Sequence, residues 1–150
     1  MQFWSHHLLI ERQNKKLHME TKIEYYIKEI IDFGEPKMDV YEFAIYMYLI
    51  RNTRLIGKEE GLFGFKSIRK SMVIGVGVKG TPMSEGICYD KIKSLETKGF
   101  IKTVSSEHKG TRIKVFYPSE VNGLNIQMNE IANKITQLSK INQESINPCR

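Results

Sequence analysis

The stretch MSEGICYDKIKSLETKGFIKTV, residues 83–104, decides which fold this sequence is expected to adopt. Cys88, Ile92 and Leu95 recur at steps of four and three residues, a spacing that predicts an amphipathic helix with these side chains facing a core. Aliphatic and aromatic residues follow the helix directly, as is typical of a β-strand. The stretch therefore predicts a helix that leads into a small sheet.

This helix carries one stop signal and two alternative start signals. Ser84 is a typical N-cap residue, whereas Thr81 and Pro82 offer an earlier N-cap with a proline in the first turn. Gly99 supplies the C-terminal stop, because glycine readily adopts the left-handed conformation that ends many helices. We expect the helix to run from one of these starts through Lys98.

Three further helices are predicted before this segment. Residues 20–33 carry isoleucines at helical spacing, and residues 65–72 form a short amphipathic pattern whose other face is basic. Asp39 and Glu42 have the spacing of a capping box, which predicts a helix over residues 39–53. The apolar face of that helix is expected to consist of Val40, Phe43, Ala44, Met47 and Ile50.

Short strands and a last helix complete the pattern. A loop over residues 55–64 contains a short predicted strand at residues 62–64. Residues 100–105 and 112–117 are β-prone and are joined by a polar tip, which predicts a β-hairpin. Residues 125–145 have heptad spacing, with Met128, Ile131, Ile135 and Leu138 on one stripe and Asn142 at the next position. This last helix is expected either to pack on its own domain or to form a homodimer.

In this order of elements the sequence resembles the winged helix-turn-helix family. Residues 83–104 look like the recognition helix and the first wing strand of that family. FKSIRKSMVIG, residues 65–75, resembles the preceding helix, and IKTVSSEHKGTRIKVFYP, residues 101–118, resembles the wing. One departure is the insert IGVGVKGTP, residues 74–82, which is longer than the usual turn between the two helices.

The resemblance implies a mainly α fold with a small antiparallel β-hairpin (α+β), with helices flanking it on both sides. It implies an N-terminal extension and helix (1–37), a winged helix-turn-helix domain (38–118) and a C-terminal helix and tail (119–150). It is nearest in character to small winged-helix proteins of Gram-positive phages and plasmids. It therefore implies a non-enzymatic protein that binds double-stranded DNA, as a transcription regulator or as an accessory protein of DNA replication or transfer.

The charge distribution supports an anionic partner at the same place. The chain has 23 Lys plus Arg and 17 Asp plus Glu, a formal charge of +6. Residues 61–116 hold 11 basic and four acidic residues, a balance of +7, so the remaining chain carries −1. A local excess of this kind indicates a docking surface better than a high overall pI does.

The candidate DNA-binding residues come from this basic block. Lys66, Arg69 and Lys70 would hold phosphates, and Lys79 in the glycine-rich insert would lie close to the backbone of the DNA. The remaining candidates are Ser84, Tyr89 and Lys93 on the capped helix and His108, Lys109, Arg112 and Lys114 on the hairpin. The outward face of the helix is expected to carry Gly86, Asp90, Lys93 and Thr97. Because that face has no Arg, Asn or Gln for bidentate base contacts, the wing is expected to contribute more affinity than the helix.

Two alternatives remain open. Gly75, Gly77 and Gly80 match the G-x-G-x-x-G pattern of dinucleotide-binding enzymes, although the further strand–helix units of that fold are lacking. The second alternative is a winged-helix module that binds an acidic protein surface. Its anchors would be Tyr41, Tyr46, Tyr48, Tyr89 and Phe100.

Other classes of protein are not indicated. The longest apolar run, residues 43–50, is far shorter than the roughly 20 residues of a membrane span. The first residues lack the pattern of a secretory signal, so a cytoplasmic protein is expected. Cys88 and Cys149 have no Cys or His neighbours at zinc-like spacing. We therefore expect no metal, no cofactor and no catalytic residues.

Overall fold

The N-terminal part of the described chain is helical. The computed structural model describes residues 15–16, 20, 22–74 and 80–145. Helix α1 covers residues 22–29 and continues as a π-helical turn, Ile30–Gly34, and a 3₁₀ turn, Glu35–Lys37. Because the π-turn is wider than an α-turn, the predicted isoleucine face is rotated, so that Glu29 is buried and Ile31 is exposed.

Helix α2, Val40–Arg51, begins at the predicted capping box. The Asp39 carboxylate accepts hydrogen bonds from the Tyr41 and Glu42 backbone N–H groups, and the Glu42 carboxylate accepts from the Asp39 N–H at 2.9 Å. The predicted apolar face is confirmed only in part. Ile50 is fully buried, and Phe43 and Met47 are partly buried against the core, but Val40 is 81% exposed. The buried residues of α2 are Glu42, Ile45, Tyr46, Leu49 and Ile50. Residues 43–50 are apolar on every side, so their periodicity cannot indicate which face turns inward.

A short strand and a short helix follow a 3₁₀ turn at Arg54–Ile56. Strand β1 is Glu60–Phe63, and helix α3 is Phe65–Ser71 with Ile68 fully buried. Both elements were expected from the sequence, the strand slightly later in the chain. They lead the chain from the sheet into the helical layer.

The glycine-rich insert is flanked by a second, two-stranded sheet. Strand β2, Val73–Ile74, pairs antiparallel with strand β3, Thr81–Pro82. The alternative helix start at Thr81 is therefore wrong, because these two residues are in a strand. Ser84 caps helix α4, Glu85–Thr97, and Gly99 follows it with a φ of +83°, as the stop signal predicts.

A three-stranded antiparallel sheet contains the predicted hairpin. Strand β4 is Ile101–Glu107 and strand β5 is Gly110–Val115, so only His108 and Lys109 form the turn. The order of the strands is β1–β5–β4. The strands extend into the predicted polar tip because backbone pairing continues to Glu107 and Gly110 whatever the polarity of the side chains.

The last helix leaves the domain after its first turn. A 3₁₀ turn, Pro118–Glu120, leads into helix α5, Asn122–Ser145, and Leu124 is buried. The side chains of residues 129–138 are all exposed. The N-terminal helix packs against the start of this segment, where the Tyr26 and Tyr117 rings stack at 4.0 Å between centroids.

The described chain is mainly helical with a small three-stranded antiparallel sheet. Its core lies between α2, α3, α4 and the inner face of the sheet. Phe100 lies at the junction of α4 and β4, and its ring contacts that of Tyr46 at 5.3 Å. Among the described residues, no helix is long and apolar enough to cross a membrane.

Candidate nucleic-acid interface

Three parts of the fold meet around Phe65, the first residue of α3. The Phe65 ring lies 6.2 Å from the Tyr89 ring of α4, in an edge-to-face arrangement. On the other side, the backbone before Phe65 lies close to the first residue of β5, since a Cβ on Gly110 would lie 2.7 Å from the Phe63 carbonyl oxygen. The start of α3 therefore lies between the first half of α4 and the beginning of β5.

Helix α4 presents the face that its sequence predicts. Cys88, Ile92 and Leu95 are buried, which confirms the predicted inner stripe. The predicted outward residues are all exposed, namely Gly86, Asp90, Lys93 and Thr97. The Ser84 hydroxyl accepts a hydrogen bond from the Ile87 N–H at 3.3 Å, so this candidate residue serves as the N-cap.

Arg69 connects α3 to the beginning of α4. Its Nε donates to the Met83 carbonyl oxygen at 2.7 Å, and its Nη1 lies 3.5 Å from Glu85 Oε2. The sequence suggested a phosphate ligand at this position. The guanidinium instead fixes the two helices relative to each other, and its charge is partly offset by Glu85.

Lys66 and Lys70 are the exposed cations of α3. They are four residues apart, so they lie on the same side of the helix. Neither has an ion-pair partner in the described part of the chain, and the same holds for Lys93 on α4. These three ammonium groups keep their full charge for an external anion.

The cations of the wing strands are paired within the protein. Arg112 Nε donates to Glu107 Oε1 at 3.0 Å, and its Nη1 lies 3.4 Å from Glu60 Oε1. Lys114 Nζ lies 2.8 Å from Glu59 Oε2. The hydrogen bond to Glu107 raises the pKa of Arg112, and the hydrogen bond to Glu59 raises the pKa of Lys114. Two of the four hairpin residues predicted to bind DNA, Arg112 and Lys114, therefore already have carboxylate partners within the protein.

The turn of the hairpin is exposed and has no carboxylate partner in the described chain. His108 and Lys109 are exposed, and neither makes an ion pair with any described residue. Ten basic residues of the block, Lys109 of the turn included, fall among the described residues. Five are paired with carboxylates, namely Arg69, Lys91, Lys98, Arg112 and Lys114. Five have no such partner in the described chain, namely Lys66, Lys70, Lys93, Lys102 and Lys109.

Two ion pairs hold α4 against α2. Lys98 Nζ lies 2.5 Å from Oε2 of Glu42, whose side chain is 3% exposed, and Lys91 pairs with Asp39. Desolvation raises the pKa of the Glu42 carboxyl, but hydrogen bonds from Lys98 and Ser94 outweigh it, so its pKa is lowered. The same balance, with Lys91 as donor, lowers the pKa of Asp39. Sequence spacing alone gives no sign of these pairs, because their members are more than 50 residues apart.

The fold gives little support to the competing sequence motifs. Gly75, Gly77 and Lys79 lie outside the described residues. The strands that flank them are antiparallel, whereas a dinucleotide-binding unit needs a parallel pair joined through a helix. Burial raises the pKa of the Cys88 thiol, and no group of three or more metal-binding side chains occurs among the described residues.

The proposed protein-binding anchors are only partly available. Tyr46 and Phe100 are 0% and 1% exposed, so neither can reach a partner. Tyr89 and Tyr41 remain exposed. Comparison of the chain with protein-family models and with curated proteins finds no match.

Proposed function

We propose that the protein binds double-stranded DNA as a winged helix-turn-helix protein. The order of elements supports this, because α2, β1, α3, α4, β4 and β5 follow one another as the family requires, with strand order β1–β5–β4. In this proposal α3 and α4 are the helix-turn-helix, and the β4–β5 hairpin is the wing. The β2–β3 pair accommodates the long insert between the two helices without separating them.

One observation carries the proposal: exposed cations without carboxylate partners in the described chain lie on three neighbouring elements. Lys66 and Lys70 on α3, Lys93 on α4 and Lys109 on the wing turn lack carboxylate partners in the described chain. The elements that carry them meet at Phe65. A duplex presents a regular array of phosphates, and lysines placed along several elements suit such an array.

The proposed role is non-catalytic. Regulation of transcription, or an accessory role in phage or plasmid replication or transfer, is consistent with a small DNA-binding domain of this kind. Such a protein would work in the cytoplasm and would need no cofactor.

The test is the salt dependence of binding to a short duplex, measured by fluorescence anisotropy. Four to five phosphate contacts predict a plot of log K against log salt with a slope of about −4. A slope shallower than about −2 would contradict the proposal.

A matched pair of variants locates the surface. Replacing Lys66, Lys70 and Lys93 by Ala is expected to flatten the slope by about three. Replacing three exposed lysines elsewhere, Lys28, Lys37 and Lys58, changes the net charge equally and is expected to leave the slope within about one of the wild-type value. Equal effects of both triple changes would mean that the binding is not localised at this surface.

We also propose that two copies of the chain associate through α5. Ile131, Ile135 and Leu138 are 44%, 62% and 61% exposed on one stripe of this helix. An isolated helix of this length is marginal in water, and an Asn at the next a position, Asn142, favours a paired, in-register arrangement. Residues 122–145 contain two acidic and two basic residues, so two such helices do not repel each other.

A further inference from the structure

The first two turns of α4 expose two large apolar side chains. Ile87 is 43% exposed and Tyr89 is 56% exposed. At 100° per residue they lie on opposite flanks of the outward line through Gly86 and Asp90. The Phe65 ring supports Tyr89 from the side, and the first turn that carries Ile87 is fixed by the Ser84 cap.

Gly86, between them, is a glycine that the fold does not require. A Cβ built on it would meet nothing within 4 Å, and it is not among the glycines with positive φ. Glycine in a helix is less favourable than alanine, and neither a neighbouring atom nor a positive φ requires it at this position. Its absence of a side chain instead lets an external surface come close to the α4 backbone.

The chemistry of this face selects among the groups in the major groove. Asp90, Lys93 and Thr97 complete the outward face, which has no Arg, Asn or Gln to contact guanine or adenine in a bidentate manner. The only apolar group that a base presents in the major groove is the 5-methyl group of thymine. Lys66 and Lys70 on α3 and Lys93 on α4 are exposed on the same two helices and would hold phosphates.

We propose that α4 recognises thymine 5-methyl groups in the major groove through Ile87 and Tyr89, with Gly86 allowing close approach. This inference rests on the proposed DNA binding. It assigns base recognition to apolar contacts on the helix, while the lysines of α3, α4 and the wing turn supply affinity that does not depend on sequence.

The experiment compares two duplexes that differ only in methyl groups. One is an alternating adenine–thymine duplex, and the other is the same duplex with deoxyuridine in place of every thymidine. Both have the same phosphates and base pairing. Binding to the deoxyuridine duplex is expected to be weaker by about fourfold for each methyl group contacted. The wild-type protein binding both duplexes equally, with a steep salt slope, would overturn this inference and leave the proposed DNA binding intact.

Variants assign the effect to α4. Ile87→Ala is expected to weaken binding to the thymine duplex by about fourfold and to leave binding to the deoxyuridine duplex unchanged. The matched control is Ile56→Ala, which truncates an isoleucine that is 60% exposed on the turn before β1 and should change neither affinity. Equal losses on both duplexes for Ile87→Ala would contradict methyl recognition by this side chain.

Gly86→Ala tests the close approach. The added methyl group is expected to hold the helix away from the DNA and to weaken binding to both duplexes by roughly tenfold, which is the effect of losing about one contact. Gly123→Ala is the control, because Gly123 is also the second residue of its helix and also has nothing within 4 Å of a built Cβ. Unchanged affinity of a folded Gly86→Ala protein would overturn the role of Gly86. Absence of binding to either duplex at low salt would overturn both the inference and the proposed function.

Discussion

At the scale of single residues, Glu42 shows how one carboxylate can serve two elements. It caps the start of α2 through the Asp39 N–H and pairs with Lys98 at the end of α4. Its side chain is nearly inaccessible, and burying a charge is costly unless it is paired and hydrogen-bonded. The contacts of Glu42 therefore fix the position of α4, and with it the direction in which the proposed recognition face points.

Glu42→Gln is expected to lower the free energy of unfolding by about 1–3 kcal/mol at pH 7, because Lys98 loses its partner and the capping interaction weakens. The pKa of Glu42 is lowered from 4.5 in the folded state, so its contribution is complete above about pH 4.5 and is lost as the pH falls through the lower folded value. Urea unfolding of the wild-type and Glu42→Gln proteins at pH 7 and pH 3 measures the contribution of Glu42 to the free energy of unfolding.

The difference between wild type and Glu42→Gln should therefore shrink towards pH 3. Glu130→Gln, at an exposed position on α5, is the control and should have little effect at either pH. A difference of the same size at both pH values would show that the charge of Glu42 contributes nothing.

At the scale of elements, the wing divides into paired strands and an unpaired turn. Glu59 and Glu60 lie just before the basic block in the chain, and pairing of β1 with β5 brings them beside Lys114 and Arg112. The local excess of charge therefore overstates what the strands of the wing offer to DNA. Pairing of β1 with β5 brings no carboxylate to the turn, and His108 and Lys109 form no ion pair with any described residue.

Lys109→Ala is consequently expected to weaken DNA binding by several-fold and to reduce the salt slope by about one. Arg112→Ala is expected to weaken DNA binding less than Lys109→Ala does, because the Arg112 guanidinium is already hydrogen-bonded to Glu107 and Glu60. Anisotropy titrations at two salt concentrations compare the variants. A larger loss for Arg112→Ala than for Lys109→Ala would contradict this difference between the strands and the turn.

At the scale of the whole molecule, the proposed dimer depends on the exposed part of α5. Replacing Ile131, Ile135 and Leu138 by Ser is expected to convert a dimer into a monomer, because the apolar stripe is lost while the buried Leu124 stays in place. Sedimentation velocity measures the mass, and thermal unfolding checks that the domain remains folded. A wild-type protein that is a monomer at every concentration tested would contradict the proposed dimer.

A truncation at Asn122 gives the complementary comparison. It removes Leu124 together with the stripe, so it should lower the melting temperature as well as the oligomeric state. Only the replacement of Ile131, Ile135 and Leu138 by Ser tests association without also removing Leu124 from the core of the domain.

Local patterns along the chain determine much of this protein. Caps at Asp39 and Ser84, the inner stripe of α4 and the stop at Gly99 depend on residues within one or two turns of each other, and each is confirmed. The β-hairpin and the last helix were predicted for the same reason, with small errors at their ends. The outward face of α4, including Gly86, follows from the same periodicity.

The remaining features were decided by the tertiary structure alone, because they depend on which residues far apart in the chain become neighbours. The inner face of α2 is invisible in a run that is apolar on all sides, and only packing against α4 and the sheet selects Ile45 and Leu49. Pairing of β1 with β5 decided which wing cations are offset by carboxylates. The basic block was thus evident from the sequence, whereas the availability of its charges, the contact between Phe65 and Tyr89, and the exposure of Ile87 were set by the fold.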